Sequence, residues 1–219
     1  MKKITFFAIV IVIFVGGGLF FNQKNTIMLS VPQYNQHPDY PTGCEAASLY
    51  MLLRYYNVDV SIEEIVEELP KGPIPYKNEG VLIGANPENE FVGDPRDSNS
   101  YGVFNEPIKL LAEKYKSGAK TKNNASFKDI SEIVSKGNPV IAWFTTNTDI
   151  GILYENEWLD YKTGEQVKWP SYEHAVVVVG IYKDIIYFND PNTGSNTGMS
   201  KKIFSEAFNQ LGGRIVYYD

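Results

Sequence analysis

The sequence predicts an α+β fold, in which helices come first along the chain and a mainly antiparallel sheet follows. Helical patterns begin near residues 44 and 61, and two more follow before residue 137. Apolar strand patterns dominate the remainder, and two of them, at residues 174–181 and 184–189, are separated only by a tight turn. Helices and hairpin-linked strands in separate parts of a sequence are typical of an α+β domain.

The first 25 residues are expected to be a signal peptide or an N-terminal membrane anchor. Two lysines precede an apolar run from Ile4 to Phe21, and polar residues close it, which is the order of a secretory leader. The run is long for a signal peptide and short for a membrane span, so cleavage stays open. A buried core helix is the alternative, but three consecutive glycines at residues 16–18 disfavour it. Residues 26–219 are then the globular domain, and we expect it outside the cytoplasmic membrane.

Composition argues against several classes of function. The chain has 219 residues and a net charge of −6, and no basic stripe is available to neutralise nucleic-acid phosphates. The single cysteine excludes an intramolecular disulfide, and one cysteine with two histidines disfavours a zinc site built on thiolates. We therefore expect no nucleic-acid partner, no metal and no cofactor.

The first part of the domain is expected to hold a strand and two helices. Residues 27–36 have the pattern of a short edge strand, because they contain a proline that cannot donate to a ladder. The first helix is predicted from about Cys44 to Tyr56, since apolar residues recur on one face at helical spacing. A second helix begins at a capping box at residue 61 and ends at Pro70.

The segment from Lys71 to Phe104 is predicted to be irregular. It is rich in Gly, Pro, Asn and Asp, and a structureless stretch of this length in a compact domain is often a binding loop. A surface loop held by its buried apolar residues is the alternative. The two interpretations are compatible if the segment forms the wall of a cleft.

The rest of the chain is predicted to supply the sheet and the remaining helices. Prolines, glycines and polar residues interrupt the apolar patterns and mark where each element begins and ends. Helices are expected at residues 105–118, 126–136 and 200–211, and strands at 139–144, 174–181, 184–189 and 214–218.

Cys44 is the candidate nucleophile. It follows Pro41-Thr42-Gly43 and begins the first helical pattern, so it lies at or next to a helix N-terminus. The unpaired N–H groups and the helix dipole there favour an anion, and we expect them to lower the pKa of the thiol. A small buried apolar residue is the alternative interpretation. Glu45 is interpreted as a helix N-terminal charge rather than an acid catalyst.

His174 is the candidate base and Asp190 the residue that orients it. His174 opens an apolar strand, and Asp190 ends the strand that returns from the tight turn, so the hairpin should bring the two residues opposite each other. Asn189 is the second choice, because alternation directs it to the other face of the sheet. His37 lies in a Pro/Asp-rich loop and is interpreted as surface or cleft rim. A cysteine followed by a distant histidine and a later aspartate is the order of papain-like cysteine enzymes.

An oxyanion hole needs donors near the nucleophile. The backbone N–H of Cys44 is one candidate, and a side-chain amide from the preceding loop would be the second. Gln33 and Gln36 are both available, and Gln36 is preferred because it begins the loop that leads to Cys44.

Four motifs in this order, VPQYNQ, YPTGCEAAS, GNPVIAW and EHAVVVVGIYKDIIYFNDP, resemble the C-thirty-nine-like cysteine peptidase family. These are papain-like relatives of the bacteriocin-processing peptidases, and the resemblance extends from Val31 to Tyr218. It implies a papain-like fold with Cys44 as nucleophile, His174 as base, Asp190 as its orienting partner and Gln36 in the oxyanion hole. The bacteriocin-processing members usually carry Asp-Cys-Gly where this chain has Gly-Cys-Glu, so relatives with Gly-Cys-Glu are the closer match.

The sequence therefore predicts a secreted or membrane-anchored cysteine peptidase that acts on a peptide or protein through an acyl-enzyme. An amidase on cell-wall peptide, or a transpeptidase or transglutaminase with an amine acceptor, could use the same scaffold. A non-catalytic surface binding module is the third alternative, favoured by the aromatic segment from Trp143 to Trp169.

Overall fold

The structure is a computed structural model, and it describes residues 27–148, 154 and 156–219. The predicted leader, residues 1–25, lies outside the described residues. Within the described part, no helix combines the length and the apolar character that a membrane crossing requires.

The described residues form a mixed helical and mainly antiparallel structure, so the predicted α+β class is confirmed. The helices are α1 Cys44–Tyr55, α2 Ile62–Glu68, α3 Asn105–Tyr115, α4 Phe127–Ser135 and α5 Lys201–Gln210. The strands are β1 Ile27–Met28, β2 Lys71–Gly72, β3 Tyr76–Asn78, β4 Val81–Gly84, β5 Phe91–Val92, β6 Ala119–Lys122, β7 Val140–Thr145, β8 Asn156–Asp160, β9 Gln166–Trp169, β10 Glu173–Tyr182, β11 Ile185–Asp190, β12 Ser195–Ser200 and β13 Ile215–Tyr218.

The main sheet runs in the order β12-β11-β10-β7-β13-β6, and β1 adds to β10 beside this path. Its neighbouring strands are antiparallel throughout the described residues. Strand β10 is the longest and pairs with both β7 and β11. The two strands that carry the predicted base and its partner are therefore adjacent at the centre of the sheet.

Alternation along β10 separates two hydrophobic cores. Ala175, Val177 and Val179 pack with residues of α1, α2 and α3 on one face. Val176 and Val178 pack with residues of α4 and α5 on the other. Because successive side chains of a strand point to opposite faces, neighbouring residues of β10 lie in different environments.

The segment from Lys71 to Phe104 is more regular than predicted. It contains β2 to β5, and its strands β3 and β4 join β8 and β9 in a second, four-stranded sheet. Phe91 and Phe104 are buried, as the surface-loop interpretation expected. The strands were missed because they are short and because β4 pairs with a partner far along the chain, with Ile83 opposite Leu159.

Candidate active site

The β10–β11 hairpin brings His174 and Asp190 together. The register aligns Asn189 with Val177, so Asp190 lies diagonally across from His174 on the same face rather than directly opposite it. The His174 Nε2 and Asp190 Oδ1 atoms are 2.8 Å apart. Asn189 is directed away, and its side-chain amide donates to the Val31 carbonyl at 3.0 Å, which agrees with its second rank.

The His174 ring is held in a mostly enclosed position. It is buried, and it contacts the Phe144 ring edge to face, with the ring centroids 5.9 Å apart. Burial raises the pKa of Asp190, but its hydrogen bond and attraction to His174, with backbone N–H donors, hold that pKa below the ordinary value. In the described part of the chain Nδ1 of His174 has no hydrogen-bond partner, so one ring nitrogen is fixed and the other is free.

Cys44 is the first residue of α1 and lies against β10. Gly43 is the N-cap, and its lack of a side chain leaves the first turn without a side-chain cap. The Ser48 hydroxyl donates to the Ala175 carbonyl at 3.2 Å and fixes α1 on the strand. The Ala175 amide favours the thiolate of Cys44 by hydrogen bonding to the sulfur. Cys44 therefore packs against the residue that follows His174.

The hydrogen bond of the Cys44 thiol goes to Glu45 rather than to His174. The Sγ atom lies 3.3 Å from Glu45 Oε2. Burial raises the pKa of the thiol well above its ordinary value, and the charges of Glu45 and Glu173 raise it further, against the smaller effect of the Ala175 amide. The expectation of a lowered thiol pKa is therefore wrong for this arrangement, because desolvation and two carboxylates outweigh the helix N-terminus.

Glu45 lies in the first turn of α1 as predicted, but it is fully buried. Its Oε1 atom accepts a hydrogen bond from the Val103 amide at 2.7 Å, and the Val103 carbonyl accepts one from Trp143 Nε1 at 3.1 Å. Burial raises the pKa of Glu45 to about 7, although its hydrogen bonds act in the opposite direction. Glu45 is thus a structural contact to the 71–104 segment and a titratable neighbour of the sulfur.

Glu173 is the second carboxylate beside Cys44. Burial raises its pKa well above the ordinary value, the charge of Glu45 raises it further, and Arg214 opposes both. The residue is partly exposed, but its Oε1 atom is buried and has no hydrogen-bond partner within the described residues. Sequence reasoning missed this residue, although alternation could have found it: Glu173 has the same parity as Ala175, and Ala175 faces α1.

Gly102 closes the space over the two carboxylates. A Cβ atom at this position would lie 2.3 Å from Glu45 Oε1, 2.9 Å from the Trp169 ring and 3.3 Å from Glu173 Oε2. A side chain therefore has no room here, and the backbone of the 71–104 segment covers the acidic pair directly.

Gln36 lies between the loop that precedes Cys44 and the turn that follows Asp190. Its Nε2 donates to the Pro41 carbonyl at 3.1 Å, and its backbone amide donates to the Pro191 carbonyl at 2.9 Å. Gln36 is buried, whereas Gln33 is exposed. The exposed His37 ring pairs with Asn192 Oδ1 at 2.7 Å, consistent with its interpretation as rim.

Among the described residues, one group of side chains is close enough to offer three ligand atoms to a metal ion. Its members are Cys44, Glu45 and Glu173, whose ligand atoms lie within 4.8 Å of one another. The group coincides with the environment of the candidate nucleophile, so we treat it as part of the same site.

The sequence matches the family model of the Peptidase C39 like family over residues 28–216. The chain belongs to this family. A relative in Bacillus subtilis (strain 168), the uncharacterized protein YvpB, is 31% identical over 194 residues, which cover 86% of this chain and 74% of that protein. The family prediction made from the motifs is therefore confirmed.

A solved structure resembles the fold. The crystal structure of a protein from Bacillus anthracis described as a C39-like peptidase matches with a TM-score of 0.78 and 28% identity, over 89% of this chain and 98% of that one. A double glycine motif protease from an AMS/PCAT transporter, solved in complex with its leader peptide, gives a TM-score of 0.49 and 18% identity, over 88% of this chain and 96% of that one. The match to the Bacillus anthracis structure shows that the fold is the one found in this family of peptidases.

Proposed function

We propose that this protein is a cysteine peptidase that hydrolyses peptide bonds with Cys44 as nucleophile, His174 as base and Asp190 as its orienting partner. The observation that carries the proposal is the His174–Asp190 hydrogen bond of 2.8 Å. This bond fixes Nε2 of His174 and leaves its Nδ1 free. His174 directly precedes Ala175, the residue against which Cys44 packs. Membership of a peptidase family supports the same reaction class.

The first step is a proton transfer from Cys44 to His174. In this step the S–H of Cys44 leaves Glu45 and passes its proton to Nδ1 of His174 at the start of β10, where the sulfur already lies at the amide of the next residue, Ala175. The thiolate then attacks the carbonyl carbon of the substrate, and the imidazolium returns the proton to the departing amine. Water, activated by the same imidazole, releases the acid from the acyl-enzyme. Asp190 stabilises the charge on the ring throughout these steps.

Gln36 and the Cys44 backbone amide form the proposed oxyanion hole. The Gln36 Nε2 atom carries two hydrogens, and the Pro41 carbonyl accepts only one of them. The second is available to the oxyanion that forms in the transition state. The proposal includes a site of action outside the cytoplasmic membrane, supported by the leader-like pattern of residues 1–25.

A peptide-library assay with the full chain tests this function. Wild type should cleave a subset of peptides, and Cys44→Ala and His174→Ala should abolish the cleavage. His37→Ala is the matched control, because His37 is exposed and its ring pairs with Asn192 alone among the described residues; it should retain activity. Cleavage that survives Cys44→Ala would contradict the proposal. Repeating the assay with an added amine separates hydrolysis from transfer, since a transpeptidase would give an amide product.

A further inference from the structure

We propose that Glu45 is a further catalytic residue, whose protonation state decides whether Cys44 exists as a thiolate. The unprotonated carboxylate accepts a hydrogen bond from the S–H group and so stabilises Cys44 as a thiol. The protonated carboxyl donates its O–H to the sulfur and stabilises the thiolate. This inference rests on the proposed function and adds its regulation: the peptidase works on the acid side of neutrality.

The geometry fixes Glu45 beside the sulfur. One carboxylate oxygen lies 3.3 Å from Cys44 Sγ, and the other is held by the Val103 amide at 2.7 Å. The 71–104 segment lies close over the same carboxylate, because a Cβ added at Gly102 would lie 2.3 Å from Oε1. A change of charge on Glu45 is therefore felt directly by the sulfur.

Glu173 makes a retained proton on the pair favourable. Its carboxylate shares the space of Glu45 and Cys44, and its buried Oε1 has no hydrogen-bond partner in the described part of the chain. Trp169 lies over Gly102 and stacks on Phe104, with centroids 5.7 Å apart, so water has little access. Two carboxylates in such surroundings resist being charged together, and one proton is held between them.

The other titratable or charged groups around Glu45 have opposing effects. Cys44 of α1 and Glu173 of β10 interact with Glu45 directly, and Arg214, in the chain before β13, interacts with Glu173. Arg214 favours the charged form of Glu173. That effect is smaller than burial, however, and Glu173 Oε1 accepts no hydrogen bond among the described residues, whereas the Val103 amide favours the charged form of Glu45. Glu173 therefore keeps its proton to the higher pH, and Glu45 is the carboxyl that titrates beside the sulfur.

The two states of the switch differ by a single proton, which Glu45 exchanges with solvent. In the acid form, the S–H bond of Cys44 breaks and its proton forms an N–H bond at Nδ1 of His174, while the O–H of Glu45 donates to the sulfur. When Glu45 loses that proton to solvent, the sulfur takes back the proton from His174 and its S–H donates to the carboxylate. No oxidant or other reactant is needed.

Alkylation of the full chain by iodoacetamide tests the switch without a substrate. In wild type, the rate should fall about tenfold between about pH 6 and about pH 8, because Glu45 loses its proton over that interval. Glu45→Gln keeps an acceptor for Val103 and presents a permanent N–H donor to the sulfur, so its rate should not fall. Glu106→Gln is the matched control, because Glu106 is an exposed first-turn glutamate on α3, and it should behave as wild type. A Glu45→Gln profile that coincides with wild type would overturn the inference.

Infrared spectroscopy of wild type keeps the test valid if Glu45→Gln does not fold. The carboxylic acid C=O band of a buried carboxyl should disappear with rising pH while the S–H band of Cys44 grows in parallel. An S–H band that stays constant as the carboxylic acid band disappears would overturn the inference.

The failure of the switch and the failure of the peptidase function give different results. A switch in alkylation without peptide cleavage contradicts only the peptidase function, and cleavage with no effect of Glu45→Gln on its pH profile contradicts only the switch.

Discussion

At the first residues of β10, the carboxyl groups on its two faces have pKa values shifted in opposite directions. On one face, Asp190 has a lowered pKa and holds the His174 ring by one nitrogen. On the other, Glu45 and Glu173 are carboxylates with raised pKa values, and the Cys44 thiol beside them also has a raised pKa. The proposed base is thus held by Asp190, while burial and two carboxylates favour the protonated form of the proposed nucleophile. The difference arises from strand alternation, which sends adjacent residues into separate cores.

The largest expected effect comes from removing a member of the proposed pair. Cys44→Ala and His174→Ala should each lower kcat by about 10⁴-fold or more, because nucleophile and base act as a unit. The double variant should be no worse than the single ones, as measured by peptide hydrolysis. Additive losses would contradict a joint role for the two faces of β10.

Asp190→Asn should lower kcat by about 10²–10⁴-fold with little change in KM, since the amide can hold the ring but cannot stabilise the imidazolium. Steady-state kinetics on a cleaved peptide measure this change. Asn189→Ala is the comparison, because Asn189 neighbours Asp190 but bonds to Val31 on the other face. An equal loss of kcat in both variants would show that the hairpin acts through stability alone.

Gln36→Ala should lower kcat by about 10²–10³-fold if its amide contributes to the oxyanion hole. Gln33→Ala is the control, since Gln33 is exposed in the same loop and should keep wild-type kinetics. A loss confined to KM would assign Gln36 to substrate binding instead.

The stability of the two faces should depend on pH with opposite signs. The pKa of Glu45 rises from 4.5 to about 7 on folding, so its contribution is most favourable below about pH 4.5 and is lost as the pH rises through about 7. Relative to Glu45→Gln, wild type should therefore lose about 3 kcal/mol between about pH 4 and pH 8. The pKa of Asp190 is lowered, so its stabilisation is present above the unfolded pKa and lost as the pH falls through the folded one.

Urea unfolding of wild type, Glu45→Gln and Asp190→Asn at several pH values measures both slopes. The free energy of unfolding of Glu45→Gln should exceed that of wild type most at alkaline pH. Asp190→Asn should be destabilised at neutral pH and approach wild type in strong acid. Parallel pH curves for the three proteins would contradict the electrostatic difference between the faces.

The parts of the fold that follow from local pattern were predictable. The apolar run of β10, its short turn and the Asp-Pro stop placed His174 and Asp190 in one hairpin, and the Pro-Thr-Gly break placed Cys44 at the start of α1. These features depend on neighbouring residues in the chain, where periodicity and turn chemistry are informative.

The parts that depend on distant segments were not predictable in the same way. The second sheet joins β4 to β8 across more than seventy residues of sequence, and none of its strands exceeds the 5 residues of β8. The burial of Glu45 depends on Val103 returning over α1 to donate its amide. A carboxylate after a helix N-cap looks solvent-exposed until that covering segment is in place.

The central claim is that Cys44 and His174 form a reactive pair although the thiol rests against Glu45. The most direct test is the rate of Cys44 alkylation by iodoacetamide in the full chain at about pH 6, in wild type, His174→Ala and the control His37→Ala. His174→Ala should slow alkylation by about tenfold or more, because the thiolate then has no imidazolium partner, and His37→Ala should not. Equal rates in all three proteins would contradict it.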